Sequence, residues 1–178
     1  MAVRRRKIET LVQELLDEHD ISQAPVPVDP IAKAYGARIY YQSLEDDVSG
    51  FLYRDDKQTV IGVNTHHAPV RQNFTKAHEL GHLLLHDRDV EPLHVDNSFR
   101  VVRLRDRTSS DGNDEAEREA NLFAATLLMP EAFLKADLSE LNYLDLLDDS
   151  DLLELARKYG VSTQALVNRL KNLGYIED

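Results

Sequence analysis

The run Phe74-Thr-Lys-Ala-His-Glu-Leu-Gly-His-Leu-Leu-Leu-His86 constrains this chain more than any other segment. At its centre stands His78-Glu79-Leu80-Gly81-His82, and histidines four residues apart share one face only if the backbone is helical. On a helix they differ by about 40° around the axis and about 6 Å along it. Both imidazoles can then reach one metal ion, with Glu79 projecting beside them. Zinc takes such donors, keeps one coordination position open where it is catalytic, and works with a nearby carboxylate that accepts a proton from water. The expectation is a zinc-hydrolase helix with His78 and His82 as ligands, completed by a third ligand from elsewhere in the chain.

A helix is well supported here. Val70 to His86 contains no proline, and Phe74, Ala77, Leu80 and Leu84 recur at helical spacing. Pro69 suits a first helical turn, where a missing N–H is harmless. Gly81 opposes the assignment, since glycine inside a helix costs about 1 kcal/mol relative to alanine. Its presence implies that another backbone element, or the metal site itself, approaches closely.

The third ligand is expected on a second long helix, Asp114 to Leu128, which stops at Met129-Pro130. Ala116, Ala120, Phe123, Ala124, Leu127 and Leu128 form its apolar stripe. At about 100° per residue, Glu117 lies about 60° from the centre of that stripe, Glu119 about 100° and Glu115 about 140°. Glu117 alone points towards the core, where an unpaired carboxylate would be expensive and a metal would relieve it. Glu115 and Glu119 read as ordinary acidic residues favoured near a helix N-terminus. Asn121, one turn beyond Glu117, is placed to orient a ligating imidazole.

The rest of the chain indicates an α+β protein. A first amphipathic helix runs from about Val3 to His19, followed by a Pro-rich linker. Asp29-Pro30 then reads as the N-cap and first residue of a short helix that Gly36 closes. Three strand-like runs follow, Ala37–Gln42, Val48–Arg54 and Gln58–Val63, the last two joined by an Asp55-Asp56-Lys57 hairpin turn. Residues 87–113 read as loop-rich, with one strand at Phe99–Arg105, an isolated His94, and a turn cluster at Thr108–Asp114. Beyond Glu131 the chain is helical and acidic. The natural division falls after residue 135, leaving 1–135 as the metal-binding domain and 136–178 as a helical unit.

Net charge is −11, which argues against sequence-independent nucleic-acid binding. The absence of cysteine excludes disulfides and thiolate ligands, so any metal is held by His and carboxylate. No apolar stretch of signal-peptide type follows the basic Met1–Lys7 segment, and nothing resembles a membrane span. A cytoplasmic protein without membrane contacts is expected.

Two separated motifs, Phe74–His86 and Glu117-Arg-Glu-Ala-Asn-Leu-Phe-Ala-Ala-Thr-Leu-Leu-Met-Pro130, together resemble the ImmA/IrrE family of zinc metallopeptidases. Pro27–Gly36, Val60–Asn64 and Arg71–Thr75 are similar to its other segments, so the likeness covers roughly residues 5–135. Lys76 departs from a position that is often apolar in the family. The resemblance implies a compact zincin-like, gluzincin-type fold, a small curved sheet over two metal-bearing helices. It implies one Zn2+ per chain on His78, His82 and Glu117, with Glu79 as general base. Characterised proteases of the family cut helix-turn-helix (XRE-type) repressors and so relieve repression of mobile-element or stress-response genes; other members sit in toxin–antitoxin-like pairs. A substrate would then lie extended along an edge strand around Gly62-Val63-Asn64, with Asn64 and His86 as candidate substrate contacts.

A different class of reading comes from the C-terminal unit. Leu152 to Gly174 has a helix-turn-helix cadence, with a Tyr159-Gly160 turn and Ser162 as N-cap, and Gln164, Asn168, Arg169 and Lys171 could reach bases or phosphates. Yet residues 131–178 carry ten acidic and five basic side chains, a poor footprint for DNA. The alternative to a peptidase is a DNA-binding or toxin–antitoxin-type regulator whose metal is structural, or which does not cleave. The unit is expected to pack against the protease or dock the repressor.

Overall fold

The computed structural model describes residues 3–86, 93–96, 111–140 and 149–176. Helix α1 (Arg5–Glu18) buries Ile8, Val12, Leu15 and Leu16 on one stripe. Helix α2 (Val28–Ala34) starts after Pro27, ahead of the expected Asp29-Pro30 pair. Asp29 does not cap the helix; its carboxylate takes the ammonium of Lys76. Gly36, at φ +79, ends the turn after α2 as expected.

Strands β1 (Ala37–Gln42), β2 (Gly50–Arg54) and β3 (Thr59–Asn64) fall close to the expected runs. β2 and β3 form the predicted antiparallel hairpin. At its turn the Asp55 carboxylate accepts the backbone N–H groups of Lys57 and Gln58, both at 2.8 Å. β1 joins the other side of β3 in parallel, from Ala37 opposite Thr59 to Gln42 opposite Asn64. A fourth strand, β4 (Leu93–Asp96), pairs antiparallel with β2, so the order is β1-β3-β2-β4. β4 lies in the stretch expected to be loop; the strand expected at Phe99–Arg105 lies outside the described residues.

This order corrects one expectation. β3 is interior, with its backbone paired on both flanks, so an extended substrate cannot pair along Gly62–Asn64. Hairpin chemistry sets only the β2–β3 pair, and the arrival of β1 on the far side of β3 depends on where α2 packs.

Helix α3 (Pro69–Leu85) carries Pro69 in its first turn, as expected. It lies across β2 and β3 and along helix α4 (Asp111–Leu128). α4 begins ahead of the expected Asp114 and takes in the end of the turn cluster; residues 108–110 are outside the described set. Helix α1 packs on α4, and α2 on β1 and α3. The apolar faces meet in one cluster that includes Leu52, Ile61, Leu80, Phe123 and Leu127, all fully buried. Each such side chain contributes about 1.5–3 kcal/mol on burial. Ala77 and Leu80 of the α3 stripe are fully buried, while Phe74 and Leu84 pack at its margin.

Helices α5 (Glu131–Glu140), α6 (Asp149–Tyr159) and α7 (Thr163–Asn172) complete the described chain. Gly160, at φ +63, turns the chain between α6 and α7, and Ser162 caps α7 by accepting the Ala165 N–H at 3.1 Å. The buried Tyr159 hydroxyl donates to Asp137 at 2.9 Å, and desolvation with that carboxylate pushes the phenol pKa well above its ordinary range. No helix among the described residues is long and apolar enough to cross a membrane.

Candidate metal centre

The four-residue spacing on α3 turns His78 and His82 into the interior, His78 with no solvent exposure and His82 with 3%. Their Nε2 atoms lie 3.0 Å apart. From α4 the Glu117 carboxylate meets both, Oε2 at 3.3 Å from His78 Nε2 and Oε1 at 3.1 Å from His82 Nε2. Donors held about 2.0–2.1 Å from a tetrahedral zinc are about 3.3 Å from one another. Two imidazole nitrogens and a carboxylate at this separation therefore fit one such ion. Among the described residues this is the group of His, Asp and Glu side chains that could hold a metal.

Tautomer geometry agrees with the donor set. His78 Nδ1 lies 3.1 Å from Asn121 Oδ1. An Nδ1–H donated to that oxygen leaves the lone pair on Nε2, the atom that faces Glu117 and His82. Glu79, next to His78, is fully buried.

The two helices can come this close because of Gly81. A Cβ at residue 81 would lie 3.0 Å from Phe123 Cδ1, 3.2 Å from Ala120 Cα and 3.3 Å from Ala120 O. The helix-breaking residue in the middle of the motif is thus the one that admits the backbone of α4.

Glu119 departs from the sequence expectation. It is 1% exposed. Its Oε1 accepts the Arg4 backbone N–H and Nε–H, both at 2.9 Å, and Oε2 accepts Nε–H at 3.2 Å and also Nη2. Hydrogen bonds from Arg4 hold the Glu119 carboxyl below the usual carboxylate range, against the effect of burial. A helical wheel with a single buried face does not describe α4. α4 is covered on two flanks, by α3 and by α1, so the flank assigned to solvent is interior. Arg4 was missed for the same reason, and no sequence signal marks it.

His86 caps the C-terminal end of α3 and is 9% exposed. Its Nε2 is 3.7 Å from Glu119 Oε2, and its ring centre is 5.7 Å from that of His82. Asn64 is buried at the end of β3. Its Nδ2 donates to the carbonyls of Glu45 and Val48 at 3.0 and 2.7 Å, and its Oδ1 accepts from the His66 and Leu44 N–H groups at 3.0 and 3.3 Å. That amide holds the loop before β2 and leaves little to offer a substrate.

In the C-terminal helices, Arg169 is 3% exposed and its Nε donates to the Met129 carbonyl at 3.2 Å. Burial lowers its pKa from the ordinary value. Arg169 is therefore withdrawn from the set of side chains that could reach DNA. Gln164 and Asn168 are exposed and bonded to each other at 3.0 Å, and Lys171 is exposed.

The sequence matches the family described as Peptidase_M78, IrrE N-terminal-like domain, over residues 32–171. No curated protein matches the chain. Among solved structures it is similar to a Mycobacterium tuberculosis transcriptional regulator, at a TM-score of 0.64 and 19% identity. That alignment covers 92% of this chain and 46% of the other, so the chain spans a little under half of that protein's length. At this identity the likeness concerns the fold.

Proposed function

The chain belongs to the Peptidase_M78 family, with an IrrE N-terminal-like domain, and from that premise we propose that it is a zinc-dependent endopeptidase. The observation that carries the reading is the convergence of His78 Nε2, His82 Nε2 and a Glu117 oxygen pair at 3.0–3.3 Å beside the buried Glu79. In this reading His78, His82 and Glu117 hold one Zn2+ per chain, and Asn121 orients His78 through Nδ1. Bound there, the ion would act as a Lewis acid on water and on a peptide carbonyl.

Glu79 performs the proton transfers. Its carboxylate takes a proton from the attacking water as the new C–O bond forms. It returns that proton to the amide nitrogen as the C–N bond breaks. Burial keeps the Glu79 carboxylate away from bulk solvent. Asn64 acts by bracing the loop before β2, and His86 by lining the far end of α3.

The proposed substrate is a helix-turn-helix (XRE-type) repressor, cut in a stress or mobile-element response in the cytoplasm. The proposed division after residue 135 falls within α5 (Glu131–Glu140), and the part of it that the proposal uses is the α6–α7 unit as a docking surface for the repressor. A second reading, a DNA-binding regulator, draws on the helix-turn-helix cadence of α6 and α7 and on the name of the mycobacterial neighbour. Burial of Arg169 weighs against it.

Glu79→Gln tests the enzyme reading. The variant is expected to retain one zinc per chain by elemental analysis and to lose at least about 100-fold in cleavage rate on a cognate repressor. Cleavage at the wild-type rate would exclude Glu79 as the base.

A further inference from the structure

Glu119 is a charged side chain, 1% exposed, on the helix that carries Glu117. Its partner Arg4 is 43% exposed in its side chain, so solvent screens the pair and limits its contribution to stability. Replacing a buried ion pair by apolar residues of similar volume is often neutral in stability, and in some proteins such a pair serves to fix geometry instead. Arg4 grips both oxygens of Glu119, with Nε at 2.9 and 3.2 Å, and adds its backbone N–H at 2.9 Å. The far oxygen of Glu119 also faces His86 at 3.7 Å. One carboxylate thereby meets the start of α1, the end of α3 and the middle of α4.

Glu117 and Glu119 are two residues apart, about 200° around the helix. They fix opposite flanks of α4: Glu117 faces the two histidines and Glu119 faces α1. Between these flanks Gly81 admits Ala120 and Phe123 of α4 and His78 meets Asn121 at 3.1 Å, so α3 fixes one side of α4 while Arg4 holds the other through Glu119. Turning α4 by about 20° would carry a carboxylate at about 6 Å from the axis through about 2 Å, beyond the tolerance of a metal site.

We propose that Arg4 and Glu119 are positioning residues for the metal centre, their ion pair holding α4 in the rotation that aims Glu117 at His78 and His82. This rests on the metal-site part of the proposed function and not on cleavage.

The test is zinc affinity of the full chain, measured by competition with a chromophoric chelator, together with the visible spectrum of the Co2+-loaded protein. Glu119→Gln and Arg4→Gln are expected to weaken zinc binding roughly 10-fold or more by displacing Glu117 from the histidines, and to alter the Co2+ spectrum. Arg4→Lys, which keeps the charge, is expected to recover part of the affinity. The apolar pair Arg4→Met with Glu119→Leu is expected to melt, metal-free, no lower than wild type and still to bind zinc weakly. Wild-type affinity and an unchanged Co2+ spectrum in that apolar pair would overturn the proposal, whether or not the wild type is a peptidase. A wild type that binds zinc tightly but cleaves no repressor would remove the peptidase reading and leave this one standing.

Discussion

Gly81 concentrates the residue-scale physics of this protein. Alanine there would gain about 1 kcal/mol of helix propensity. It would also press a methyl against Phe123 and the Ala120 backbone at 3.0–3.3 Å, and overpacking of this kind costs about 1–3 kcal/mol. Because one of the neighbours is backbone, the helices must part rather than a side chain swing aside. Gly81→Ala is therefore expected to lower the urea midpoint and to weaken zinc binding, since parting α3 from α4 moves Glu117 from the histidines. An unchanged midpoint with unchanged affinity would show that the interface is slack. The need for close approach at Gly81 was legible from sequence, because a glycine that opposes its own helix requires a reason. Glu119 was not, because its burial depends on Arg4 and α1, 115 residues away in the chain.

At the scale of elements, the β2–β3 hairpin is held by Asp55. Backbone N–H of Lys57, the Tyr53 hydroxyl and backbone N–H of Gln58 all favour its ionised form, and its pKa is lowered from 3.8. A depressed carboxyl stabilises the fold above its unfolded pKa, and that contribution is lost as pH falls through the lower folded value. Asp55 should thus titrate below 3.8 by NMR, and the melting-temperature deficit of Asp55→Ala at neutral pH should vanish once the pH is below the folded value. A deficit that persists unchanged there would assign the turn's stability to something other than this charge. The helices, the hairpin and the Ser162 cap were all legible, because each depends on neighbours within a few residues. β4 and the interior place of β3 were not, because strand order is a choice among distant partners.

Across the whole molecule, helices far apart in the chain are fastened to the metal-bearing pair. Asn73 of α3 donates to the Gly160 carbonyl between α6 and α7 at 3.2 Å, and Arg169 of α7 holds the Met129 carbonyl just past α4. An unfolded chain cannot bring His78, His82 and Glu117 together, so zinc binding is linked to folding. At free zinc 100 times its dissociation constant the folded state should gain about 2.7 kcal/mol. Melting in zinc-buffered solution should lie clearly above melting in EDTA, and Glu117→Gln should remove most of the difference. Equal melting temperatures for the wild type would contradict a site formed only by folding.

The spacing of His78 and His82, the periodicity of α1, α3 and α4, and the turn chemistry at Gly36, Asp55 and Ser162 act over one or two turns of chain. They hold whatever the neighbours are, which is why α+β character and the two long helices of the site could be derived from the residues alone; the burial ranking of the α4 glutamates could not, since Glu119 is buried and the Glu117 side chain is 33% exposed. The second buried flank of α4, the interior position of β3, the committed amide of Asn64 and the withdrawal of Arg169 arise only when distant elements pack together. Burial is a property of pairs of surfaces. A sequence specifies one surface of each pair locally and leaves the other to the fold.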